Sequence, residues 1–211
     1  MAILILSGNY FEGPMPNQLC KLQYLQMLDL SHNLLFGSIP SCFGKMQLGL
    51  RGTLVIAEAI YYQTNPAETE VEFVTKGNKL SYQTAHTVWM VGIDLSSNRL
   101  TGGIPPELGN ISGITSLNLS YYCLTGPIPA TFSNLTQIES LDLSYNKLSG
   151  MIPWQLTQLT SLGVFLVAHN SLSGCIPELK NQFLTFTESS YEGNIGLHGP
   201  PWRRRAPPTQ V

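Results

Sequence analysis

Histidine and aspartate are the side chains in this sequence that could bind a metal or act in acid–base catalysis. Two of the histidines occur in the same His-Asn dipeptide, which is not a metal-binding motif. The four histidines are His32, His86, His169 and His198. Three aspartates each stand between two aliphatic residues of an alternating segment, which predicts an open row on a strand face instead of the cleft that acid–base catalysis needs. These aspartates are Asp29, Asp94 and Asp142.

Motifs for enzymatic chemistry are also missing from the sequence. It has no glycine-rich phosphate loop, no G-x-S-x-G nucleophile elbow and no kinase motif. We therefore predict a protein that is not an enzyme and has no catalytic residue, metal site or cofactor. Charged residues make up only 11% of the chain and the net charge is -2, so nucleic acid is not expected as a partner.

A 24-residue repeat determines where these side chains lie. Each repeat contains L-x-L, then an asparagine, a glycine four positions later and a proline seven positions later. With the asparagine as origin, the six origins are Asn9, Asn33, Asn98, Tyr122, Asn146 and Asn170. Neighbouring origins are one repeat apart, except for a 65-residue step between the second and the third. This pattern is the leucine-rich repeat signature, so it predicts an α/β solenoid, a right-handed superhelix of short parallel strands with 24-residue coils.

The L-x-L segments alternate with period two and predict strands with their leucines turned inward. The residues between and beside the leucines then face the concave surface. The partner-binding residues predicted on this surface are Asp94, Ser96, Asn118, Asp142, Ser144 and Leu166. The L-x-G-x-I-P segment predicts a second short strand on the flank, and the remainder of each coil predicts a helical turn on the convex side.

The asparagines turn the chain where each strand ends, and their amides can bond to the backbone of neighbouring coils. The predicted structural ladder is Asn9, Asn33, Asn98, Asn146 and Asn170. Because a phenol does not fit such a narrow turn, we predict that Tyr122 points outward and interrupts the ladder. For Tyr121-Tyr122, an exposed aromatic anchor for a partner and simple sequence drift are the two interpretations.

The 65-residue step contains an insertion of about 41 residues beyond one repeat, between Met46 and Val91. Its last part, Glu70 to Tyr82, alternates like a pair of strands with a turn at Lys76-Gly77-Asn78-Lys79. Long structureless loops are unusual in compact arrays. We expect this insertion to fold back on the coils.

Three N-x-S/T sequons favour an extracellular protein, because such sites are glycosylated only in the secretory pathway. The predicted acceptors are Asn110, Asn118 and Asn134. Cys20 and Cys42 take nearly the same convex-side position on adjacent coils, and a disulfide between them is one interpretation if the chain is secreted. Cys123 and Cys175 are expected to be single thiols. No apolar window is long enough to span a membrane and no signal peptide is visible, so we interpret the chain as a fragment or a truncated product.

The repeat resembles the plant-specific class of extracellular leucine-rich repeats, which occurs in receptor-like kinases, receptor-like proteins and polygalacturonase-inhibiting proteins. An insertion followed by four repeats is similar to the island domain of plant receptor-like proteins. In that family the island ends with a lysine, five residues and a tyrosine, which Lys76 and Tyr82 match. The resemblance implies that both residues contribute to partner binding, and pinning the insertion to the coils is the other interpretation.

This resemblance implies five regions: two repeats in 1–45, the island-type insertion in 46–91, four repeats in 92–180, a degenerate cap in 181–199 and a disordered basic tail in 200–211. In the cap, His198 stands where the family has a cysteine. The partners it implies are a protein or peptide ligand, a SERK-type coreceptor kinase and an adaptor kinase. The location it implies is the outer side of the plasma membrane, with membrane attachment only through parts of the parent receptor outside this chain.

Three functions remain open at this point. The first is ligand recognition and coreceptor docking in defence or developmental signalling, by a segment of a plant receptor-like protein. The second is inhibition of a secreted hydrolase, as in polygalacturonase-inhibiting proteins, although those arrays lack an island. The third is a truncated decoy or a degenerate copy without activity.

Overall fold

The structure is a computed structural model, which describes residues 2–22, 25–46, 48, 70–75, 78–83, 90–111, 113–177 and 180–200. Its six-stranded parallel sheet, called the inner sheet below, is formed by the L-x-L segments. In spatial order its strands are β1 (Ala2–Ile5), β3 (Leu25–Asp29), β7 (Gly92–Asp94), β9 (Ser116–Asn118), β11 (Ser140–Asp142) and β13 (Val164–Leu166). This arrangement confirms the prediction of one parallel strand per coil.

A second parallel sheet of seven strands, the flank sheet, is formed by the L-x-G-x-I-P segments. In spatial order its strands are β15 (Gly196–His198), β14 (Ser171–Cys175), β12 (Lys147–Gly150), β10 (Cys123–Gly126), β8 (Arg99–Gly103), β4 (Leu34–Gly37) and β2 (Glu12–Pro14). The repeat glycines allow the bend in these strands; Gly150, for example, has a φ of 80°, which is open to glycine without steric cost.

Short 3₁₀ helices complete the coils on the convex side, as predicted. They comprise Asn17–Lys21, Ser41–Lys45, Pro106–Asn110, Ala130–Asn134, Trp154–Gln158 and Asn181–Leu184. A further 3₁₀ helix, Glu188–Ser190, lies beside β13 of the inner sheet. The repeat proline directly precedes each of the first five helices, with φ between -74° and -62°. Proline is suited to this position because its ring fixes φ near -65° and it has no N–H to leave unpaired.

The core is a column of apolar side chains between the two sheets and the convex helices. The leucines and isoleucines of the L-x-L segments from Leu28 to Leu143 are at most a few per cent exposed, whereas Leu4 and Leu6 of the first coil are partly buried. Two phenylalanines that are fully buried, Phe132 and Phe165, fill the wider space beneath the helices. Burial of this kind provides the main stabilisation, at about 25 cal/mol per Å² of apolar surface.

The insertion does not interrupt the inner sheet. Met27 of β3 pairs directly with Gly92 of β7 although the insertion separates them in sequence. Within the insertion, β5 (Glu70–Thr75) and β6 (Asn78–Gln83) form an antiparallel pair, which confirms the predicted strand pair. Asn78 and Lys79, which the sequence predicts in the turn, are part of β6. Phe73 of this hairpin is 1% exposed and packs on Gly92, where an added Cβ would lie 2.7 Å from its Cζ. The hairpin therefore folds back onto the inner sheet, as expected.

The asparagine ladder has the predicted form. The Asn146 side chain donates to the carbonyls of Leu119 (2.8 Å) and Leu143 (3.1 Å), and its Oδ1 accepts from the N–H of Leu124 (3.1 Å). The same three kinds of bond recur at Asn33, Asn98 and Asn170. Each of these four asparagines thus joins its coil to the preceding one through bonds that a buried backbone would otherwise lack, whereas among the described residues Asn9 bonds only to carbonyls of its own coil.

Tyr122 differs from the prediction. Its side chain is buried, 7% exposed, instead of pointing outward, and its hydroxyl has no hydrogen-bond partner among the described residues. The N–H of Tyr122 still bonds to the carbonyl of Tyr145 (3.1 Å), so the turn keeps its register and the ring stays inside. The expected interruption of the ladder is present, because the phenol replaces none of the bonds that asparagine makes.

The segment 181–199, for which we predicted a degenerate cap, contains a seventh coil. Asn194 donates to the carbonyls of Val167 (2.9 Å) and Tyr191 (2.8 Å) and accepts from Leu172 N–H (3.0 Å), as a ladder asparagine does. The signal in the sequence is its position one full repeat after Asn170. The described residues therefore form seven coils, which we number by their ladder positions 9, 33, 98, 122, 146, 170 and 194.

Cys20 and Cys42 form a disulfide between the convex helices of coils 1 and 2, with their Cα atoms 5.8 Å apart. Cys123 and Cys175 are free, exposed thiols. In the part of the chain that the structure describes, no helix is long and apolar enough to cross a membrane.

Candidate recognition groove

A groove of about 570 Å³ lies on the concave face of the inner sheet and extends from coil 2 to coil 7. Three rows of side chains line most of it, each with one residue per coil. The first row lies four positions before the ladder residue and consists of Asn118, Asp142 and Leu166. The second lies two positions before it and consists of Ser96, Ser120, Ser144, Ala168 and Glu192. The third lies directly before it and consists of His32, Ser97, Tyr121 and Tyr145. The parallel register aligns these rows because each coil repeats the same backbone path.

The structure brings five of the eight predicted partner-binding residues into this groove. They are Ser96, Asn118, Asp142, Ser144 and Leu166. Tyr82 lies in β6, where its backbone pairs with Val71, and Lys76 lies outside the described residues. Partner contacts by Lys76 and Tyr82 stay predictions.

The prediction for Asp94 is wrong. Its side chain is fully buried, so it is not available to a partner. Its Oδ1 accepts from the Ser96 N–H (2.8 Å), and its Oδ2 accepts from Asn118 Nδ2 (3.1 Å). Burial raises the pKa of Asp94 to about 6 because it disfavours the charged carboxylate, and the charge of Asp29 acts in the same direction, although the bonds from Ser96 and Asn118 oppose the shift.

Asn118 is unsuitable as a glycosylation site for a related reason. Its Nδ2 would have to bear the glycan, but the residue is 7% exposed and this atom donates to Asp94. Its Oδ1 accepts from the N–H (3.1 Å) and the hydroxyl (2.7 Å) of Ser120. Asn110 and Asn134 are exposed at the ends of convex helices, and they stay predicted acceptors.

Stacked rings form the edge of the groove. Tyr121 and Tyr145 stack with ring centroids 4.4 Å apart and an interplanar angle of 8°, and His169 stacks on Tyr145 at 4.4 Å and 22°. Nε2 of His169 lies 3.5 Å from Oε1 of Glu192. Tyr121 and Tyr145 are 55% and 43% exposed, so a ligand in the groove can contact the ring edges.

Backbone geometry places these rings in one row. The residue directly before the ladder position has a positive φ in coils 2 to 6, from 52° to 62°. We call this set the ring row: His32, Ser97, Tyr121, Tyr145 and His169. Sequence reasoning left the role of Tyr121 open and did not single out Tyr145. The recurrence of an aromatic ring directly before the origin in three successive repeats, at Tyr121, Tyr145 and His169, is the signal that could have identified the stack.

The groove lining is acidic. Asp142 and Glu192 belong to it, and among the described residues that line it there is no lysine or arginine. Burial raises the pKa of Asp142, although bonds to Oδ1 from the Ser144 N–H (2.9 Å) and hydroxyl (2.7 Å) oppose the shift. Neither side chain is placed like a nucleophile or a general acid–base pair. The arrangement of hydroxyls, amides, carboxylates and rings is suited to binding.

Comparison with known proteins agrees with this description. The family model "Leucine Rich Repeat" matches residues 24–46, 91–111, 113–135 and 137–159. The fold and the repeats together define the class of protein, a leucine-rich repeat solenoid.

The similar proteins are plant receptors. Cuscuta receptor 1 of Solanum lycopersicum is 75% identical over 134 residues, which is 64% of this chain and 12% of that receptor. The ectodomain of the Arabidopsis thaliana receptor kinase GASSHO1/SCHENGEN3, in complex with CASPARIAN STRIP INTEGRITY FACTOR 2, superposes with a TM-score of 0.60 at 26% identity, covering 95% of this chain and 22% of that one. The ectodomain of the Arabidopsis receptor kinase HAESA, in complex with an IDA peptide hormone, gives 0.57 at 30% identity, covering 93% and 30%.

The chain is similar to plant leucine-rich repeat receptor-like proteins in its repeats and in its sequence. It spans about an eighth of the length of the curated relatives it matches, 12% and 13% for two of them. The repeat matches leave the insertion outside them.

Proposed function

We propose that this chain is a non-catalytic ligand-recognition and coreceptor-docking segment of a plant receptor-like protein, acting in defence or developmental signalling. The observation that supports it most is the groove, a continuous polar and aromatic surface over six coils. Its accessible lining includes the hydroxyls of Ser97 and Tyr121, and a hydroxyl both donates and accepts hydrogen bonds. Such a lining suits the backbone of an extended peptide, which offers donors and acceptors along its whole length.

The solved relatives support a peptide as the ligand class. The HAESA ectodomain was solved with a peptide hormone, and its fold is shared by 93% of this chain. The aromatic edges of Tyr121 and Tyr145 offer apolar contact beside the polar rows, and tyrosine is enriched where interface energy concentrates.

Selection of peptides from a random displayed library tests this function. The purified chain should enrich peptides that Leu166→Arg no longer binds, because Leu166 is half-buried in the groove and an arginine there would occupy it. We expect at least about a tenfold loss of affinity. Leu184→Arg, at a site that is 64% exposed outside the groove, is the matched control. Peptides that bind both variants equally well would show that the groove is not the binding site.

Coreceptor docking is the second part of the proposal. The family resemblance assigns it to the end of the insertion and to the last four repeats, so Lys76 and Tyr82 are the residues to change. Capture of a SERK-type coreceptor ectodomain should fall with Lys76→Ala and with Tyr82→Ala. Lys21→Ala, on the exposed convex side of coil 1, should leave it unchanged. Unaltered capture by both test variants would remove these residues from the docking surface.

A further inference from the structure

The ring row contains one gap. In coils 2 to 5 its members are His32, Ser97, Tyr121 and Tyr145, so three positions have rings and the second has only a hydroxymethyl group. The gap is not caused by a different backbone, since φ is 55° at Ser97 and 62° at Tyr121. His32, Ser97 and Tyr121 all line the groove, so the space over Ser97 opens toward the ligand.

The three coils around the gap are direct neighbours in the stack. The N–H of His32 bonds to Ser96 O (2.9 Å), and the N–H of Ser97 bonds to Ser120 O (3.2 Å). Equivalent positions on successive strands are separated by about 4.8 Å, so two steps from His32 to Tyr121 span roughly 9.5 Å. A flat group in van der Waals contact on both faces needs about 7–8 Å. The gap therefore has room for one planar group between two rings.

The charge of the groove as a whole favours a cation. Asp142 lines it two coils from Ser97 and Glu192 four coils from Ser97, and no lysine or arginine is among its described lining residues. The guanidinium group of arginine is planar, stacks on aromatic faces and has five N–H donors in its plane. The hydroxyl of Ser97, which is half-buried and lines the groove at the gap, can accept such a bond. An ammonium group lacks the flat faces, and a neutral ring lacks the charge.

We propose that the gap over Ser97, between His32 and Tyr121, is a subsite for the guanidinium group of an arginine side chain in a peptide ligand. This inference rests on the proposed function of the groove as a peptide-binding site. It specifies one side chain of the ligand and the coil that binds it.

A titration with N-acetyl-arginine amide, followed by NMR, tests the subsite directly on the whole chain. The ring resonances of His32 and Tyr121 should shift saturably with a dissociation constant on the order of 10 mM. The amides of lysine and of citrulline, which is planar but neutral, should bind at least about fivefold more weakly.

Ser97→Tyr should abolish this binding by extending the stack into the gap. Tyrosine already occupies the equivalent backbone geometry at positions 121 and 145, so the substitution is compatible with the fold. Ser149→Tyr, on an exposed position of β12, is the matched control and should bind like the wild type. Tyr121→Leu, which removes one face of the gap, should weaken binding several-fold and serves as a second variant.

Four outcomes would overturn the subsite: no saturable shift up to about 50 mM, equal binding of the three amides, unchanged binding by Ser97→Tyr, or tighter binding of N-acetyl-phenylalanine amide. The library selection separates this result from the proposed function. Groove-dependent peptides with no need for arginine would sustain the function and refute the subsite. If N-acetyl-arginine amide binds at the gap but the library selection yields no peptide, the subsite is supported and the proposed peptide-binding function is refuted.

Discussion

At Tyr122 a phenol fills a slot that asparagine occupies in the neighbouring coils. Its hydroxyl is buried without a partner among the described residues. Burial is the main cause that raises the pKa of Tyr122 well above the ordinary tyrosine value, and the charge of Asp94 is the next. The Asn98 side chain lowers this pKa, but it makes no hydrogen bond with the hydroxyl. The Tyr122 hydroxyl is therefore uncharged, and it donates no hydrogen bond to a described residue. A buried hydroxyl in this state costs about 1–3 kcal/mol.

Tyr122→Phe should therefore stabilise the protein. The substitution removes the unpaired hydroxyl and keeps the ring that fills the space, so we expect the free energy of unfolding to rise by about 1 kcal/mol. Denaturant unfolding measures it. Tyr145→Phe, at an exposed ring, is the control and should change stability by less than about 0.5 kcal/mol. A loss of stability in Tyr122→Phe would indicate a hydrogen bond that the structure does not show.

Asp94 should make stability depend on pH. Its pKa is about 6 in the folded protein, against 3.8 without the fold, so the folded state binds a proton more tightly between these values. The contribution of Asp94 to stability is then highest below about pH 4, falls as the pH rises to about 6 and is level above it. The loss is on the order of 3 kcal/mol, and the raised pKa of Asp142 adds a change of the same sign.

Asp94→Asn should make that decline shallower, measured as unfolding free energy from pH 4 to pH 7. Asparagine has no charge to lose, and its Oδ1 can still accept from the Ser96 N–H. Glu107→Gln, at an exposed carboxylate on the convex side, controls for the change in net charge. A decline as steep in Asp94→Asn as in the wild type would assign the effect to other groups.

Sequence reasoning at this scale worked where the repeat itself sets a residue's role. The ladder bonds of Asn146 follow from the turn that the repeat requires, and they could be predicted. The inward position of Tyr122 could not, because it depends on how tightly the neighbouring turn at Tyr145 holds the backbone. The burial of Asp94 likewise depends on Asn118, which lies one coil away.

At the scale of elements, the hairpin β5–β6 depends on a single glycine. Gly92→Ala would place a methyl group against the Phe73 ring, so the hairpin must shift away from the inner sheet. Hydrogen exchange in segments 70–75 and 78–83 should become at least about tenfold faster. Gly163→Ala is the matched control, since the nearest atom to its new methyl group would be Glu139 O at an ordinary 3.7 Å. Equal exchange in the two variants would show that the hairpin does not rely on this contact.

The hairpin also shows which contacts between elements could not be predicted from the sequence. Its strands follow from alternation over a few residues, and their pairing was predictable. Its docking site was not, because the stretch of sequence that separates Phe73 from Gly92 has no repeat register. The seventh coil escaped prediction for a different reason. Its L-x-L positions are replaced around Glu188–Ser190 by a 3₁₀ helix, and His198 takes the place of the repeat glycine, so that only Asn194 and Pro201 keep the pattern.

At the scale of the whole molecule, each coil contacts mainly its neighbours, so stability should vary along the array. Reduction of the Cys20–Cys42 disulfide tests this. It opens a loop of 22 residues, which should cost about 3 kcal/mol in coils 1 and 2 alone. Hydrogen exchange should rise in residues 2–22 and 34–45 and stay constant in residues 140–177. A uniform rise through all seven coils would indicate one cooperative unit instead.

The overall architecture was the most predictable level. The single repeat register sets the strand, the turn, the flank strand and the convex helix of every coil, and parallel pairing then repeats them. The path of the groove follows from the same register. Its chemistry does not, because ring stacking between coils depends on residues such as Tyr145 that the repeat leaves free to vary.

The positive φ of the ring row has a further consequence. A left-handed backbone costs a non-glycine residue roughly 1–2 kcal/mol, and in coil 7 the equivalent position is Gly193, with a φ of 76°. Because the turn imposes this conformation whatever the side chain, positions 97, 121, 145 and 169 can be exchanged without altering the coil. Ligand preference can thus diversify one coil at a time, and an engineer could rewrite it by substituting these four residues on an unchanged scaffold.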